Sequence, residues 1–277
     1  NLIFLKNLSK NISAKKLYKS YYNNEIMGRF KLGVELIVKL FRFFRAFKIF
    51  TISSNAKSIL DIGSGRGFML YFLKKYYKYQ VAIGTQLNKK AINFSRSKLG
   101  LQIYNADLLK IPLQKSYFDV VTIWHVLEHI RKPELYLRKI HQLLKSGGKL
   151  IIEVPNFNSW TRSLTGKYWM GLDLKYHVNF FVADSLIKIL KKNHFKINNI
   201  HTFSLEYSTF LSVQSLVSFL TKTNHLFFSW LQNKTKKTNL IFHVFLFIIL
   251  APPCFVINFM LQKSKKGEVL LIVASKK

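Results

Sequence analysis

Between residues 56 and 202 short apolar strands alternate with helical segments, and this alternation constrains the chain more than anything else in it. Ser58–Ile62 reads as a strand and Phe68–Tyr77 as a helix; Gln80–Gly84 and Lys89–Leu99 repeat the pair. Gln102–Tyr104 is a brief third strand. Phe118–Trp124 and Gly148–Val154 flank a helix that starts at Pro133 and ends before Gly147-Gly148, the expected punctuation. A helix Asp184–Lys192 and a strand from Phe195 to Thr202 follow, and Glu268–Ala274 is a final strand. Strands separated by helices predict an α/β domain with a parallel sheet covered on both faces.

Two regions stand apart from the alternation. Residues 1–55 read as a helical cap: Phe30, Val34, Ile37, Phe41, Phe44 and Phe47 form one apolar helical face, with Lys31, Lys39, Arg42, Arg45 and Lys48 between them. Such a basic amphipathic helix can lie on a membrane, but capping the following domain is the expected role. The opening Asn1-Leu-Ile-Phe-Leu-Lys6 is too short to read as a signal peptide. Residues 203–267 form an insertion before the last strand, with an apolar run from Leu240 to Leu261 interrupted by Pro252-Pro253.

Composition narrows the class. Forty-four Lys+Arg against 12 Asp+Glu give a formal net charge of +32, yet 49% of residues are hydrophobic, which excludes a disordered basic tail. Cys254 is the sole cysteine, so no disulfide framework exists within the chain. Lysines are spread along the chain instead of clustered, as compositional drift would leave them. The few acids are more informative, since eight of the 12 fall between residues 61 and 184.

Asp61-Ile-Gly63-Ser64-Gly65-Arg-Gly67 lies where the first strand turns into a helix. Glycines there let backbone approach a ligand, and the helix N-terminus offers unpaired N–H groups. Asn105-Ala-Asp107, Phe118-Asp-Val-Val, His125-Val-Leu-Glu-His129 and Gly147-Gly-Lys-Leu-Ile-Ile-Glu-Val-Pro155 follow in order. Across about 140 residues this series resembles the class I S-adenosylmethionine-dependent methyltransferases, most strongly the small-molecule branch that includes quinone-biosynthesis O-methyltransferases. The resemblance implies a Rossmann-like seven-stranded sheet over residues 56–202, completed by 268–277, and S-adenosyl-L-methionine as cofactor.

It also implies roles. The turn Gly63, Ser64, Gly65 and Gly67 passes under the methionyl and ribose portions, and Asp61 serves the amino-acid end. Asp107 and Leu108 meet the adenine, and Trp124 and His125 line the cofactor. The family's ribose-binding acid falls on Gln86, a departure: a Gln carbonyl can accept one hydroxyl, but loss of the charge-assisted bond costs about 1 kcal/mol. His125-x-x-Glu-His129 also matches an inverted zinc-peptidase motif, but it directly follows a parallel strand in a cofactor-binding context. A divalent metal is known here in some quinone O-methyltransferases; this chain has His125 where they carry an acid, and no metal is assigned.

The acceptor side is expected after the fifth strand, where Trp160, Trp169, Tyr176-His177 and Phe180-Phe181 leave the carboxyl end of the sheet. His177 is the first candidate general base and His129 the second. Nucleic acid is not expected, because Trp124-His-Val-Leu replaces the Asn/Asp-Pro-Pro-aromatic pocket of base-amine methyltransferases. Pro252-Pro253 divides the apolar run into arms of about 12 and 9 residues, too short to cross a bilayer, so a hairpin dipping into one leaflet is expected. Lys234, Lys236 and Lys237 precede it and Lys263, Lys265 and Lys266 follow, which fits a cytoplasmic protein held at the inner face of a membrane. The resulting expectation is O-methylation of a small lipophilic or lipid-linked acceptor. The alternatives are a soluble small-molecule or sugar methyltransferase with a dimerising hairpin, and a non-catalytic cofactor-binding or membrane-associated protein.

Overall fold

The computed structural model describes residues 3–4, 32–223, 225–232 and 240–277. Seven strands form one sheet: β1 (Ser58–Ile62), β2 (Val81–Thr85), β3 (Gln102–Tyr104), β4 (Phe118–Trp124), β5 (Leu144–Pro155), β6 (Phe195–His201) and β7 (Val269–Lys276). Their order is β3-β2-β1-β4-β5-β7-β6. The helices are α1 (Leu32–Ile52), α2 (Phe68–Tyr76), α3 (Lys89–Leu99), α4 (Pro133–Leu143), α5 (Trp160–Thr165), α6 (Ala183–Lys192), α7 (Ser208–Thr221), α8 (Leu226–Leu231) and α9 (Leu240–Met260).

Alternate residues of the central strands feed two cores, as the period of two requires. Leu60, Val121, Ile152 and Ile272 meet α4 and α6 through Leu137 and Leu186. Ile59, Val120, Ile151 and Leu271 meet α1, α2 and α3 through Ile49, Leu70 and Ile92. Helices therefore cover both faces, as expected.

The sheet is not wholly parallel. β7 runs antiparallel to both β5 and β6, with Ile152 opposite Ile272 and Ile200 opposite the same residue. The cause is topological: the chain leaves β6 at the carboxyl edge and the insertion brings it back to that same edge. Exit and return are tied together. Thr202 N donates to Gln262 O at 2.9 Å, and the Thr202 hydroxyl lies 2.7 and 2.8 Å from the carbonyls of Leu261 and Ser264. Gly267 passes so close that a Cβ there would stand 2.1 Å from Thr202 O.

The N-terminal helix is rotated relative to expectation. Ile37, Phe44 and Phe47 are exposed, and the buried face carries Ala46 and Ile49. The reason is electrostatic: Arg42 and Arg45 both turn inward to pair with Glu206, in the segment between β6 and α7. Ile3–Phe4, read as helical, is a strand fragment paired antiparallel with Asn179–Phe180. The helical reading of the other residues before 32, Phe30 and Lys31 included, lies outside the described residues, as do Lys234, Lys236 and Lys237.

The apolar run is one helix and not a hairpin. α9 continues through Pro252 and Pro253. Two prolines remove two N–H donors from the helix ladder, but their fixed φ is itself helical. Packing on both sides of them holds the helix: Leu250 and Ala251 lie against Val213 and Val217, with buried Cys254 just beyond. Asn258 then donates to Ser212 Oγ at 2.8 Å and accepts from Trp160 Nε1 at 3.1 Å. The outward and return legs of the insertion are thus α7 and α9. Because Asn258 is completely buried, Asn258→Ala leaves the Trp160 N–H without its acceptor and takes the amide donor from Ser212 Oγ. We expect it to lower unfolding stability by about 2 kcal/mol or more, read from urea denaturation.

Candidate active site

The carboxyl ends of β1, β2 and β4 converge on the glycine turn. Gly63 N and Ser64 N both donate to Thr85 O at 3.0 Å, which fastens the turn to the end of β2. Gly63 has φ 78°, and a Cβ there would stand 2.4 Å from Val126 Cγ2, so glycine is required twice over. Gly65 also has positive φ, but nothing lies within 4 Å of where its Cβ would be. That is the open side of the cradle. Gly67, in the left-handed conformation, caps α2 with no side-chain acceptor for the first-turn N–H groups.

Asp61 lies beneath this cradle, buried, and accepts a 2.7 Å hydrogen bond from Thr122 Oγ1. Burial pushes its carboxyl up to about 6, opposed by the Thr122 bond and by Arg45 and Arg42. At neutral pH it therefore still carries charge. Arg45 reaches from α1 over the Trp124 ring at 4.2 Å, and the buried Trp124 Nε1–H has no hydrogen-bond partner among the described residues. An open glycine cradle, a carboxylate under it and an orphaned indole N–H fit a ligand with a cationic end and several acceptors.

Gln86 stands at the end of β2, buried, but its Oε1 accepts from its own neighbours Leu87 N (2.7 Å) and Asn88 N (3.2 Å). The carbonyl expected to serve a ribose hydroxyl is thus engaged, and the amide N–H groups are what it offers. Asp107 is similarly occupied: it accepts from Leu109 N at 2.9 Å and from Tyr136 Oη at 2.5 Å, and caps a short turn that buries Leu108.

Beyond β4 the expectation for His125 changes. Its backbone takes φ 51°, and its N–H donates to Glu153 O at 2.8 Å. The ring sits between two buried carboxylates, with Nε2 3.0 Å from Glu153 Oε1 and Nδ1 3.6 Å from Glu128 Oε1, and lies 4.0 Å from the Tyr207 ring. Burial alone would lower its pKa, but the two carboxylates outweigh burial and hold it as imidazolium. His125 is thereby committed to shaping the turn. Glu128 in return is held down at about 2, against burial, by His125 first and then by His129 and His177.

The two candidate bases meet here. Their rings lie 4.8 Å apart. His129 Nδ1 faces Tyr176 O at 2.9 Å and His177 Nδ1 faces Gly171 O at 3.0 Å. A carbonyl only accepts, so neutral His177 carries its proton on Nδ1 and leaves Nε2, 4.0 Å from Glu128 Oε1, unprotonated. Burial lowers the His177 pKa, which keeps it neutral and able to accept a proton. Among the described residues no donor comes within hydrogen-bonding distance of either Glu128 oxygen, His125 Nδ1 standing at 3.6 Å. Glu128, His129 and His177 each bring a donor atom within 4.8 Å of the others, a set that could hold a divalent cation.

Trp160 and Trp169, expected on the acceptor side, instead tie layers together: Trp169 is fully buried and donates to Glu268 Oε2 at 3.3 Å. Sequence reasoning missed Arg45, Glu153, Glu206 and Tyr207. Glu153 carried a signal, an acid within the apolar strand Leu150–Val154; the α1 arginines carried none beyond their helical spacing.

A family model described as a methyltransferase domain matches residues 37–200. A ubiquinone biosynthesis O-methyltransferase of Coxiella burnetii is 25% identical over 112 residues, 39% of this chain and 47% of that protein. A ubiquinone/menaquinone biosynthesis C-methyltransferase of Azotobacter vinelandii is 28% identical over 137 residues, 45% of this chain and 53% of that protein. The chain spans about half the length of these curated relatives. Among solved structures, a SAM-dependent methyltransferase from Archaeoglobus fulgidus superposes with TM-score 0.54 at 21% identity, covering 95% of this chain and all of that one. At that identity the likeness carries the fold.

A direct test of the cradle is Asp61→Asn, which should weaken S-adenosylmethionine binding at least tenfold in calorimetry at pH 7.5. In the unsubstituted chain the carboxylate is lost as pH falls through about 6. Affinity should therefore drop toward tenfold per unit below that pH, and the substituted chain should lack this dependence.

Proposed function

The chain belongs to the methyltransferase domain family, whose cofactor is S-adenosylmethionine, and from that premise we propose that it methylates a small lipophilic or lipid-linked acceptor, with oxygen as the favoured atom. The observation that carries the chemistry is the pair His177 and His129, set beside buried Glu128 just past the end of β4, the same strand end that presents Trp124 to the cradle. When bound, the cofactor supplies an electrophilic methyl group. Asp61 takes its amino-acid end, and the Gly63–Gly67 turn gives the backbone room to approach it. Asp107 and Leu108 border the adenine, and Gln86 meets the ribose as a donor.

On the acceptor side the residues have a simple task, to hold a hydroxyl in line and receive its proton. His177 Nε2 is the receiving atom in this reading. The Gly171 carbonyl fixes its tautomer, and the Glu128 carboxylate stabilises the imidazolium that forms. His129 stands second. The lipophilic class draws on the ubiquinone relatives and on α9, whose outward side chains are apolar. Lys263, Lys265 and Lys266 at its end fit contact through 240–261 with an anionic membrane, and so a peripheral position at the cytoplasmic face.

A second reading, a cofactor-binding protein that transfers nothing, has one observation behind it: the Gln86 carbonyl is already engaged by Leu87 and Asn88. Lipid extracts incubated with the protein and methyl-labelled cofactor separate the two. A labelled, extractable product supports transfer; calorimetric binding of cofactor with no labelled product from lipid or soluble extracts sinks it. His177→Ala should lower kcat by about 100-fold or more with little change in KM for the cofactor, the range for a lost general base. His129→Ala should cost less.

A further inference from the structure

The apolar helix α9 is built with its polarity reversed. Between Leu240 and Leu261 its polar side chains are His243, Cys254 and Asn258, and all three are buried. They face a seam of small and polar groups: Thr223 Oγ1 lies 3.3 Å from His243 Nε2, and Asn258 is bonded to Ser212 and Trp160. α7 turns Ser208, Ser212, Ser215 and Ser218 inward, all fully buried. The outside of α9 carries Ile241 (84% exposed), Phe245 (56%), Ile248 (65%), Val256 (54%) and Met260 (76%). At about 100° per residue these exposed positions sweep an arc of roughly 120°, and adding half-exposed Phe255 and Ile257 widens it to about 200°.

The helix also lies along the molecule instead of projecting from it. α7 rests on the segment after β5, where Ser215 Oγ accepts from Met170 N at 2.9 Å and Phe219 meets the Tyr168 ring. α9 then runs beside α7, from His243 at Thr223 to Phe255 and Phe259 at Phe203. Its 21 residues make a rod of about 32 Å. Lysines stand at both ends of the apolar run in sequence, and at the described end Lys263, Lys265 and Lys266 are exposed.

We propose that α9 lies flat in an anionic lipid bilayer, parallel to its plane, with the apolar arc among the upper acyl chains and the exposed Lys263, Lys265 and Lys266 at the headgroups. A crossing helix would carry α7, which packs along it, and that helix's buried serines into the hydrocarbon. An interface with a second copy would cover one strip, not more than half the circumference. Lipid covers the whole arc, and anionic headgroups complement the lysines. The proposal deepens the lipophilic-acceptor reading and rests on it for one point, the bilayer as the source of the acceptor; the layer that α9 joins is tied through Ser215 and Met170 to the segment whose Gly171 carbonyl faces His177.

The experiment places a tryptophan at the start, middle and end of the arc with Ile241→Trp, Ile248→Trp and Phe259→Trp. Each is read as a difference from the unsubstituted chain in phosphatidylcholine vesicles containing about a third phosphatidylglycerol. Lipids brominated near the headgroup, at mid-chain or at the chain end report depth. All three tryptophans should be quenched most, and about equally, by the shallow label. Phe245→Glu with Ile248→Glu should lower vesicle flotation at least tenfold while calorimetric binding of S-adenosylmethionine persists. A depth that grades from one end of α9 to the other, or no quenching with a dimer in light scattering, would overturn the proposal. If the three tryptophan variants embed at uniform depth yet the unsubstituted chain binds no cofactor, the methyltransferase reading fails and the membrane assignment stands.

Discussion

One constraint organises this molecule: the chain must leave the sheet after β6 and come back to it at the same edge. Everything about the insertion follows from that. β7 has to run against its neighbours, α7 has to be answered by a returning helix, and the two ends have to be clamped, which Thr202 and Gly267 do at close range. A helix broken at Pro252-Pro253 would satisfy the same constraint. The packing of α9 on α7 on both sides of the prolines selects the continuous rod.

The scarcity of acids shapes the other half of the structure. In a chain of net charge +32, several buried or half-buried carboxylates are each answered by cations: Glu206 by Arg42 and Arg45, Glu153 and Glu128 by His125, and Glu35 by Arg66. Buried ion pairs contribute little net stability, because desolvation offsets attraction. What these pairs do is fix geometry. Arg45 is drawn over Trp124, the turn after β4 is locked by an imidazolium, and α1 is rolled so that Phe44 and Phe47 face outward. The hydrophobic pattern of α1 loses to its arginines for this reason.

The strand–helix alternation was legible because each strand is short, apolar and bounded by Gly, Pro or a cap residue; Lys89–Leu99 and Gln102–Tyr104 are delimited to the residue. The glycine turn and Asp61 were legible because their chemistry is local, one strand end and one helix start. The rest depends on contacts distant in sequence. Glu206 and Arg42 are 164 residues apart, Trp160 and Asn258 are 98 apart, and no periodicity relates them. Gln86 shows a subtler limit. Its position was readable, but that its carbonyl turns back onto Leu87 and Asn88 depends on a side-chain rotamer, which composition and spacing do not encode.

The seam inside the insertion has a consequence for how its helix is oriented. An apolar rod has no preferred rotation about its own axis, since one isoleucine or phenylalanine face is as good as another against oil. His243, Cys254 and Asn258 lie on one line of α9 and act as a key in a slot cut by Thr223 and Ser212. Turning the rod by a single residue would carry the Asn258 amide out of the seam and away from Ser212 and Trp160. The outer face is then free to change among apolar residues without altering the fold, and the rotational setting of the whole insertion is carried by three inward side chains.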